Sequence, residues 1–182
     1  MNNQIKIDAD TIIVSRTDIA GYIEYANRDF CKISGYRSEE LMYQPHSIIR
    51  HPDMPAVIFK LMWERLGENK DIFAVVKNLA KNGDYYWVTT QFEIRKHPST
   101  GRVVGYVAHR RGADEHLVQE ISKLYAELLS VEKAEGIEAS EKYLMDFLAS
   151  KGMSYDEYIE KIALKDGFLK SIFKKLLGKT NS

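Results

Sequence analysis

The sequence has few cysteines, few prolines and no surplus of charge of either sign. Its 182 residues include one cysteine, Cys31, and 4 prolines. A single cysteine excludes an internal disulfide framework and a multi-cysteine zinc or iron–sulfur site, which is typical of a reducing compartment. The 26 Lys and Arg residues balance 26 Asp and Glu residues, so the chain lacks the cationic field that non-specific nucleic-acid binding requires. We therefore expect no nucleic-acid partner.

Long apolar runs and enzyme motifs are missing as well. No stretch of about 18 apolar residues occurs, and residues 1–10 contain no signal-peptide core. This pattern predicts a cytoplasmic protein. Glycine-rich phosphate loops, kinase motifs, paired-carboxylate signatures and metal-ligand spacings are also absent from the sequence. An enzyme is accordingly the least favoured class of function.

What the sequence does contain predicts an α+β fold. Hydrophobic residues make up 45% of the chain, enough to bury a core. Short β-branched and aromatic runs, separated by turn residues, predict strands over residues 11–15, 21–25, 72–79, 85–94 and 102–109. Helical spacing predicts short helices over residues 27–41 and a longer one over 55–66, between the second and third strands. These elements predict a five-stranded antiparallel sheet with one face covered by the inserted helices.

The rest of the chain is predicted to be helical. Apolar residues recur at helical spacing over 117–128, and Ser154 with Glu157 forms a capping-box pattern at the start of another helix. Lysines alternate with apolar residues near the C-terminus, so residues 166–179 could pack on the protein, dock on a partner or contact a membrane surface. We predict an N-terminal extension over 1–10, a sensor domain over 11–112 and a C-terminal helical region over 113–182.

Three motifs identify a resemblance. The segments are YANRDF at 25–30, followed by ISGY at 33–36, QPHSIIRHPDMP at 44–55, and KNGDYYWV at 81–88. In this order and spacing they resemble the PAS domain of the bacterial aerotaxis receptor family, over about residues 11–130. The resemblance implies a PAS fold that encloses FAD, whose redox state is passed to chemotaxis signalling. The chain further resembles the stand-alone PAS subunit of a bipartite energy-taxis system.

The resemblance also implies site residues and partners. His46, Arg50, His51 and Asp53 match family positions in the loop near the cofactor, and Tyr106 matches a family tyrosine on the last strand. Asn78 shares a predicted strand face with Ile72, which stands where the family has a flavin-contacting tryptophan. The implied partner is a membrane chemotaxis receptor or its HAMP-like region. We expect a homodimer that acts in the cytoplasm or at the inner face of the membrane.

The residues by themselves leave structural alternatives open. Asp53 could cap the helix that starts at Pro55, with Arg50 paired to it, and Asn78 could bond backbone near the hairpin. Asn27 is a favoured helix cap at the start of the first helix. Trp63 and Trp87 are predicted to fill the core rather than to contact a cofactor. We expect flavin reduction to act through Asn78 on the sheet face that packs against residues 117–128.

Two other functions compete with the flavin sensor. The first is a haem-binding PAS gas sensor, whose axial ligand would be one of five histidines: His46, His51, His97, His109 or His116. The second is a cofactor-free PAS interaction module. The loop motif whose cysteine forms an adduct in photoactive flavin domains is absent from this sequence, so blue-light adduct chemistry at Cys31 is not expected.

Overall fold

Five strands form one antiparallel sheet, which confirms the predicted α+β class. The structure is a computed structural model that describes residues 2–164. The strands are β1 (Ile13–Thr17), β2 (Ile23–Ala26), β3 (Ile72–Leu79), β4 (Tyr85–Lys96) and β5 (Val103–Gly112). Their order in the sheet is β2-β1-β5-β4-β3, so β2 and β3 lie at its edges. Consecutive hairpins join β3, β4 and β5, as the Asn82-Gly83 turn predicts for the first of them.

Helices inserted between β2 and β3 cover one face of the sheet. They are α1 (Arg28–Ser34), α2 (Ser38–Leu41), a 3₁₀ turn (His46–Ile49) and α3 (Ala56–Gly67). α3 agrees with the helix predicted over 55–66 to within one residue at each end. Because side chains alternate along a strand, one set from every strand faces these helices, and we call this the inner face.

Asn27 fixes the entry into α1, which confirms its predicted role as a cap. Its side-chain oxygen accepts hydrogen bonds from the backbone N–H of Phe30, at 3.0 Å, and of Val14, at 3.1 Å. Its side-chain nitrogen donates to the carbonyl of Ile12, at 2.7 Å. One side chain therefore caps the helix and attaches it to β1.

Three further helices follow the sheet: α4 (Glu115–Glu135), α5 (Ile137–Lys151) and α6 (Tyr155–Leu164). The apolar stripe of α4 is buried, as are apolar residues of α5 and α6, in one core cluster with the sheet. The capping box at the start of α6 is confirmed, since Ser154 and Glu157 exchange hydrogen bonds. The alternatives predicted for residues 166–179 concern a segment outside the described residues.

α4 covers part of the outer face of the sheet. Trp87 on β4 stacks on Tyr125 of α4, with ring centroids 6.3 Å apart, which confirms Trp87 as a core residue. The hydroxyl of Tyr125 donates to the carbonyl of Val75 on β3, at 2.7 Å, and also bonds the hydroxyl of Tyr155 on α6. Both faces of β3 are therefore covered, one by α3 and one by the C-terminal helices.

Candidate functional site

A cavity of about 270 Å³ lies between the inner face of the sheet, α3 and the 3₁₀ turn. Its apolar walls come from both layers and include Ile49, Phe59, Met62, Leu66, Val76 and Phe92. A small set of polar side chains shares the same space: Ser15, Thr17, His46, Asn78, Tyr106 and Arg110. Apolar walls with a few convergent polar groups are typical of a small-molecule site, and the volume is close to the lower end of the usual range, about 300 Å³.

Arg110 is a buried positive charge without a negative partner. It is only 2% exposed, and it projects from the inner face of β5. Its guanidinium donates one hydrogen bond to Ser15 Oγ and one to His46 Nε2, each at 2.9 Å. Within residues 2–164 no carboxylate forms an ion pair with it. Burial lowers the pKa of Arg110 to about 10, so the side chain remains charged at neutral pH and favours an anionic or acceptor-rich ligand.

His46 is held neutral beside this arginine. A guanidinium can only donate hydrogen bonds, so His46 Nε2 must be an acceptor, and the proton of the neutral ring lies on Nδ1. Ser15 Oγ lies 3.0 Å from the same nitrogen and accepts from Arg110, so its own proton is available to His46. Burial, followed by the charge of Arg110, lowers the pKa of His46 to about 3. Together, Arg110, Ser15 and His46 form a fixed polar cluster, which we call the Arg110 cluster.

Asn78 brings an unused donor to the cavity. It is 4% exposed, and its side-chain nitrogen makes no hydrogen bond within residues 2–164. An isolated antiparallel bridge joins the backbone of Asn78 to that of Arg50, which brings the 3₁₀ turn against β3. Because a buried N–H without a partner is costly, this amide nitrogen is available to donate to a ligand. The alternative that the sequence left open, a hydrogen bond from Asn78 to backbone near the hairpin, is not made by this nitrogen.

Arg50 and Asp53 do not form the loop brace that the sequence left open. Arg50 lines the cavity, donates to the carbonyl of Met54 and lies 4.2 Å from the ring centre of Phe59. Asp53 is 60% exposed and pairs with Lys77, at 2.6 Å. It does not cap α3, because Glu132 of α4 accepts from the backbone N–H of Val57 at that end of the helix.

His51 and Ile72 are buried beside the cavity rather than in its wall. His51 is 4% exposed, packs edge-on against Tyr85 and accepts a hydrogen bond from the backbone N–H of Asp53. Burial, with Lys77 as the second cause, lowers the pKa of His51. Ile72 lies on the inner face of β3, opposite Phe92 and 2% exposed. Neither residue is among those that line the cavity.

Tyr106 and Trp63 meet at the cavity. Tyr106 lies in the wall, as expected from its place on the last strand, and its ring is edge-on to that of Trp63, with centroids 5.4 Å apart. Trp63 is 46% exposed, so its prediction as a core residue was wrong. Its indole lies next to Gly21 in the turn between β1 and β2, where an added Cβ would lie 3.3 Å from the indole and the backbone has φ +87°. Trp63 forms part of the cavity wall that faces solvent.

Four of the seven predicted site residues line the cavity: His46, Arg50, Asn78 and Tyr106. Sequence reasoning missed two others, Ser15 and Arg110. The signal for Arg110 was present, since it lies four residues after Tyr106 on the same strand and must share its face. A charged residue on the face turned toward the core indicates a site.

Charge and metal-binding capacity limit the chemistry of this cavity. Its lining includes two arginines, and no Asp or Glu is among the lining residues that the structure describes. In the same part of the chain, no group of three His, Cys, Asp or Glu side chains could hold a metal ion. None of the described helices is long and apolar enough to cross a membrane. The arrangement is suited to binding an anionic organic molecule.

Comparison with known proteins links this architecture to sensors. Residues 23–109 match the family described as "PAS fold". The chain is 39% identical to the aerotaxis receptor of Escherichia coli over 121 residues, which cover 65% of this chain and 23% of the receptor. It is 24% identical to the nitrogen fixation regulatory protein of Klebsiella pneumoniae over 157 residues, covering 82% of this chain and 32% of that protein. The chain thus spans a third or less of these relatives.

Solved structures share the fold. A PAS domain from Colwellia psychrerythraea superposes with a TM-score of 0.52 at 19% identity, covering 56% of this chain and 86% of that one. A flavin-analogue structure of a light-oxygen-voltage domain gives a TM-score of 0.54 at 20% identity, covering 62% and 83%. The expected arrangement of the sheet and its inserted helices is therefore confirmed. The chain carries a PAS sensor domain of the aerotaxis receptor family.

Proposed function

We propose that this chain is a non-catalytic FAD-binding redox sensor that signals to a chemotaxis receptor by protein–protein contact. The observation that supports it is the cavity, in which a buried unpaired arginine and an unused Asn78 amide meet apolar walls. An isoalloxazine ring has this same combination of flat apolar surface and heteroatoms along one edge. Relationship to the aerotaxis receptor supports the signalling role.

The residues present fit a flavin. Asn78 and Arg110 would donate to ring heteroatoms, and the phenyl rings of Phe59 and Phe92 would contact the apolar surface. The cavity volume suits a ring system rather than a whole dinucleotide. The pyrophosphate of FAD would therefore lie outside it, where the exposed Arg50 could pair with it. Bound FAD would supply a two-electron redox couple.

Haem is less well supported by the same geometry. His46 is the histidine that lines the cavity. Its Nε2 already accepts from Ser15 and Arg110, so coordination through that atom would break both bonds beside a fixed positive charge. His51 lies outside the cavity wall, and His109 projects from the outer face of β5. The flavin proposal requires none of these bonds to break.

The signal is proposed to leave through the polypeptide that surrounds the cavity. Reduction would change hydrogen bonding at Asn78, which lies three residues from Val75, the point where β3 contacts α4. This proposal includes the implied partner, a membrane chemotaxis receptor or its HAMP-like region. It also includes a homodimeric state and action in the cytoplasm or at the inner face of the membrane. The first test concerns the ligand alone.

The ligand is tested by the absorption spectrum of the purified protein and by mass spectrometry of what heat releases from it. A two-band flavin spectrum with released FAD is expected, and a Soret peak or a colourless protein that cannot be loaded with FAD would refute the proposal. Arg110→Met should weaken FAD binding about 10- to 100-fold, since a hydrogen bond to a charged group contributes about 1.5–3 kcal/mol.

The matched control is Arg111→Met. Arg111 neighbours Arg110 on β5, points to the opposite face and donates to the carbonyl of Ala9. Its replacement should leave FAD affinity unchanged. Equal weakening in the two variants would mean that the loss of positive charge, and not the cavity contact, governs binding.

A further inference from the structure

α3 lies between the cavity and the C-terminal helices. Residues of α3 that line the cavity lie on one face at helical spacing: Phe59, Met62, Trp63 and Leu66. At 100° per residue, Val57 lies nearly opposite that face, and Lys60 and Arg65 lie about 110° to either side of its centre. A shift of the cavity wall is therefore also a shift of the surface that α4, α5 and α6 meet.

Each of the three C-terminal helices contributes one carboxylate to α3 outside the face that lines the cavity. Glu132 of α4 accepts from the backbone N–H of Val57, at 3.2 Å, in the first turn of α3. Glu141 of α5 pairs with Lys60, and Asp156 of α6 pairs with Arg65. We call these three contacts the carboxylate clasp. They hold α3 at its start, middle and end.

The clasp also ties α3 to the sheet. The second oxygen of Asp156 accepts from the backbone N–H of Phe73 on β3, at 3.3 Å. Burial raises the pKa of Asp156, with Arg65 opposing that shift, so this carboxylate depends on its partners to stay ionised. Asp156 of α6 thus contacts both α3 and β3, the two layers that enclose the cavity, and its contacts change if these layers move relative to each other.

We infer that Glu132, Glu141 and Asp156 are positioning residues that couple occupancy of the cavity to the packing of α4, α5 and α6. This rests on the proposed function, in that the occupant is a flavin. The C-terminal helices then form the output unit of the sensor, and α3 transmits the signal. Coupling of two sites is reciprocal, so weakening the clasp must also change ligand affinity.

The experiment compares the full chain with the variant Glu132→Gln, Glu141→Gln, Asp156→Asn, which keeps side-chain size and removes the three charges. FAD affinity is measured by titration, and amide hydrogen exchange of residues 115–164 is followed with and without FAD. In the parent chain, FAD should slow that exchange at least 3-fold. The triple variant should bind FAD at least 5-fold more weakly and lose the slowing while FAD is bound.

Two controls separate coupling from general destabilisation. Asp146→Asn removes an exposed pair with Lys142 on α5 that does not involve α3, and it should behave as the parent chain. The exchanged pair Lys60→Glu with Glu141→Lys should restore most of the affinity that either single change loses. An unchanged affinity and an unchanged exchange response in the triple variant would overturn the inference.

A parent chain that binds no FAD would refute the proposed function and not this coupling. The coupling is then tested from the cavity side with Phe59→Ala, which alters the wall of α3 away from the clasp. Exchange in residues 115–164 should rise in this variant at least 3-fold. The same exchange as in the parent chain would overturn the inference by this route as well.

Discussion

At the scale of single residues, the Arg110 cluster makes the protein sensitive to acid. His46 is kept neutral because its Nε2 accepts from Arg110, and its pKa falls from 6.5 to about 3. In the unfolded chain the same ring takes up a proton near its ordinary pKa. Between these two values the unfolded state binds more protons than the folded state, so the free energy of unfolding falls as pH falls.

Replacement of His46 by Gln should remove this slope. Between pH 6.5 and pH 5 the free energy of unfolding of the parent chain should fall more steeply than that of His46→Gln, by a difference that rises to about 1.4 kcal/mol per pH unit at the lower end of this range. Urea unfolding at several pH values measures the difference. His51, whose pKa is also lowered by burial, contributes to both proteins and cancels. Identical slopes would show that His46 takes up a proton in the folded protein as readily as in the unfolded chain, and would contradict the lowered pKa.

Sequence reasoning found the residues of the loop but misjudged their partners. Arg50 and Asn78, two of the predicted site residues, line the cavity, because the loop motif that holds Arg50 and the strand that holds Asn78 can both be recognised locally in the sequence. The partner of Asp53 is Lys77, 24 residues away, and the start of α3 is capped by Glu132, 75 residues from Val57. Such contacts depend on the packing of elements that are distant in sequence, for which the local pattern holds no signal.

At the scale of elements, β5 depends on a glycine. Gly105 has φ +155°, and a Cβ on it would lie 2.0 Å from the carbonyl oxygen of Thr17 on β1. The two strands can approach only because this position has no side chain. The sequence predicted β5 over 102–109, whereas the strand is Val103–Gly112. The local pattern holds no signal for the contact between Gly105 and Thr17, because Thr17 lies on a different strand.

Gly105→Ala should therefore destabilise the protein by more than about 2 kcal/mol, because either the strands separate or the backbone is strained. The matched control is Gly101→Ala in the loop before β5. Gly101 also has a positive φ, +67°, but nothing lies within 4 Å of its added Cβ, so only the backbone cost of about 1 kcal/mol is expected. Urea unfolding measures the free energy of unfolding of both variants. An equal loss in the two would show that β1 and β5 accommodate a side chain next to Thr17 without cost.

Strand and helix boundaries were predicted well where the pattern was strong. The alternation in β3 gave its bounds without error, and α3 was placed to within one residue. β1 was predicted over 11–15, whereas the structure has it at Ile13–Thr17. The reason is that pairing with β5 extends to Tyr106 opposite Thr17, and this register is decided by the partner strand.

At the scale of the whole molecule, the sheet and the C-terminal helices share one hydrophobic core. Buried residues on both sides of residue 112 belong to the same cluster, from Ile13 on β1 to Ile162 on α6. The division into 1–10, 11–112 and 113–182 stays a prediction, because a boundary in sequence does not require a boundary in packing. A shared core predicts cooperative unfolding.

The two tryptophans test this cooperativity, since Trp63 lies at the cavity and Trp87 against Tyr125. Trp63→Phe leaves fluorescence that reports the C-terminal helices, and Trp87→Phe leaves fluorescence that reports the cavity. In each variant the fluorescence transition in urea should coincide with the loss of helix signal in circular dichroism. A fluorescence midpoint well below the helix midpoint in either variant would mean that its region opens on its own.

The covering of β3 has a consequence for how the molecule behaves at high concentration. An edge strand normally offers free backbone groups on which a strand of another molecule can assemble. On β3, the backbone N–H of Phe73 donates to Asp156, and the carbonyl of Val75 accepts from Tyr125. The backbone N–H of Lys77 donates to the sulfur of Met54. At three successive odd-numbered positions of β3, a side chain thus occupies a backbone group that another strand would need. These contacts protect this edge of the sheet against fibril growth.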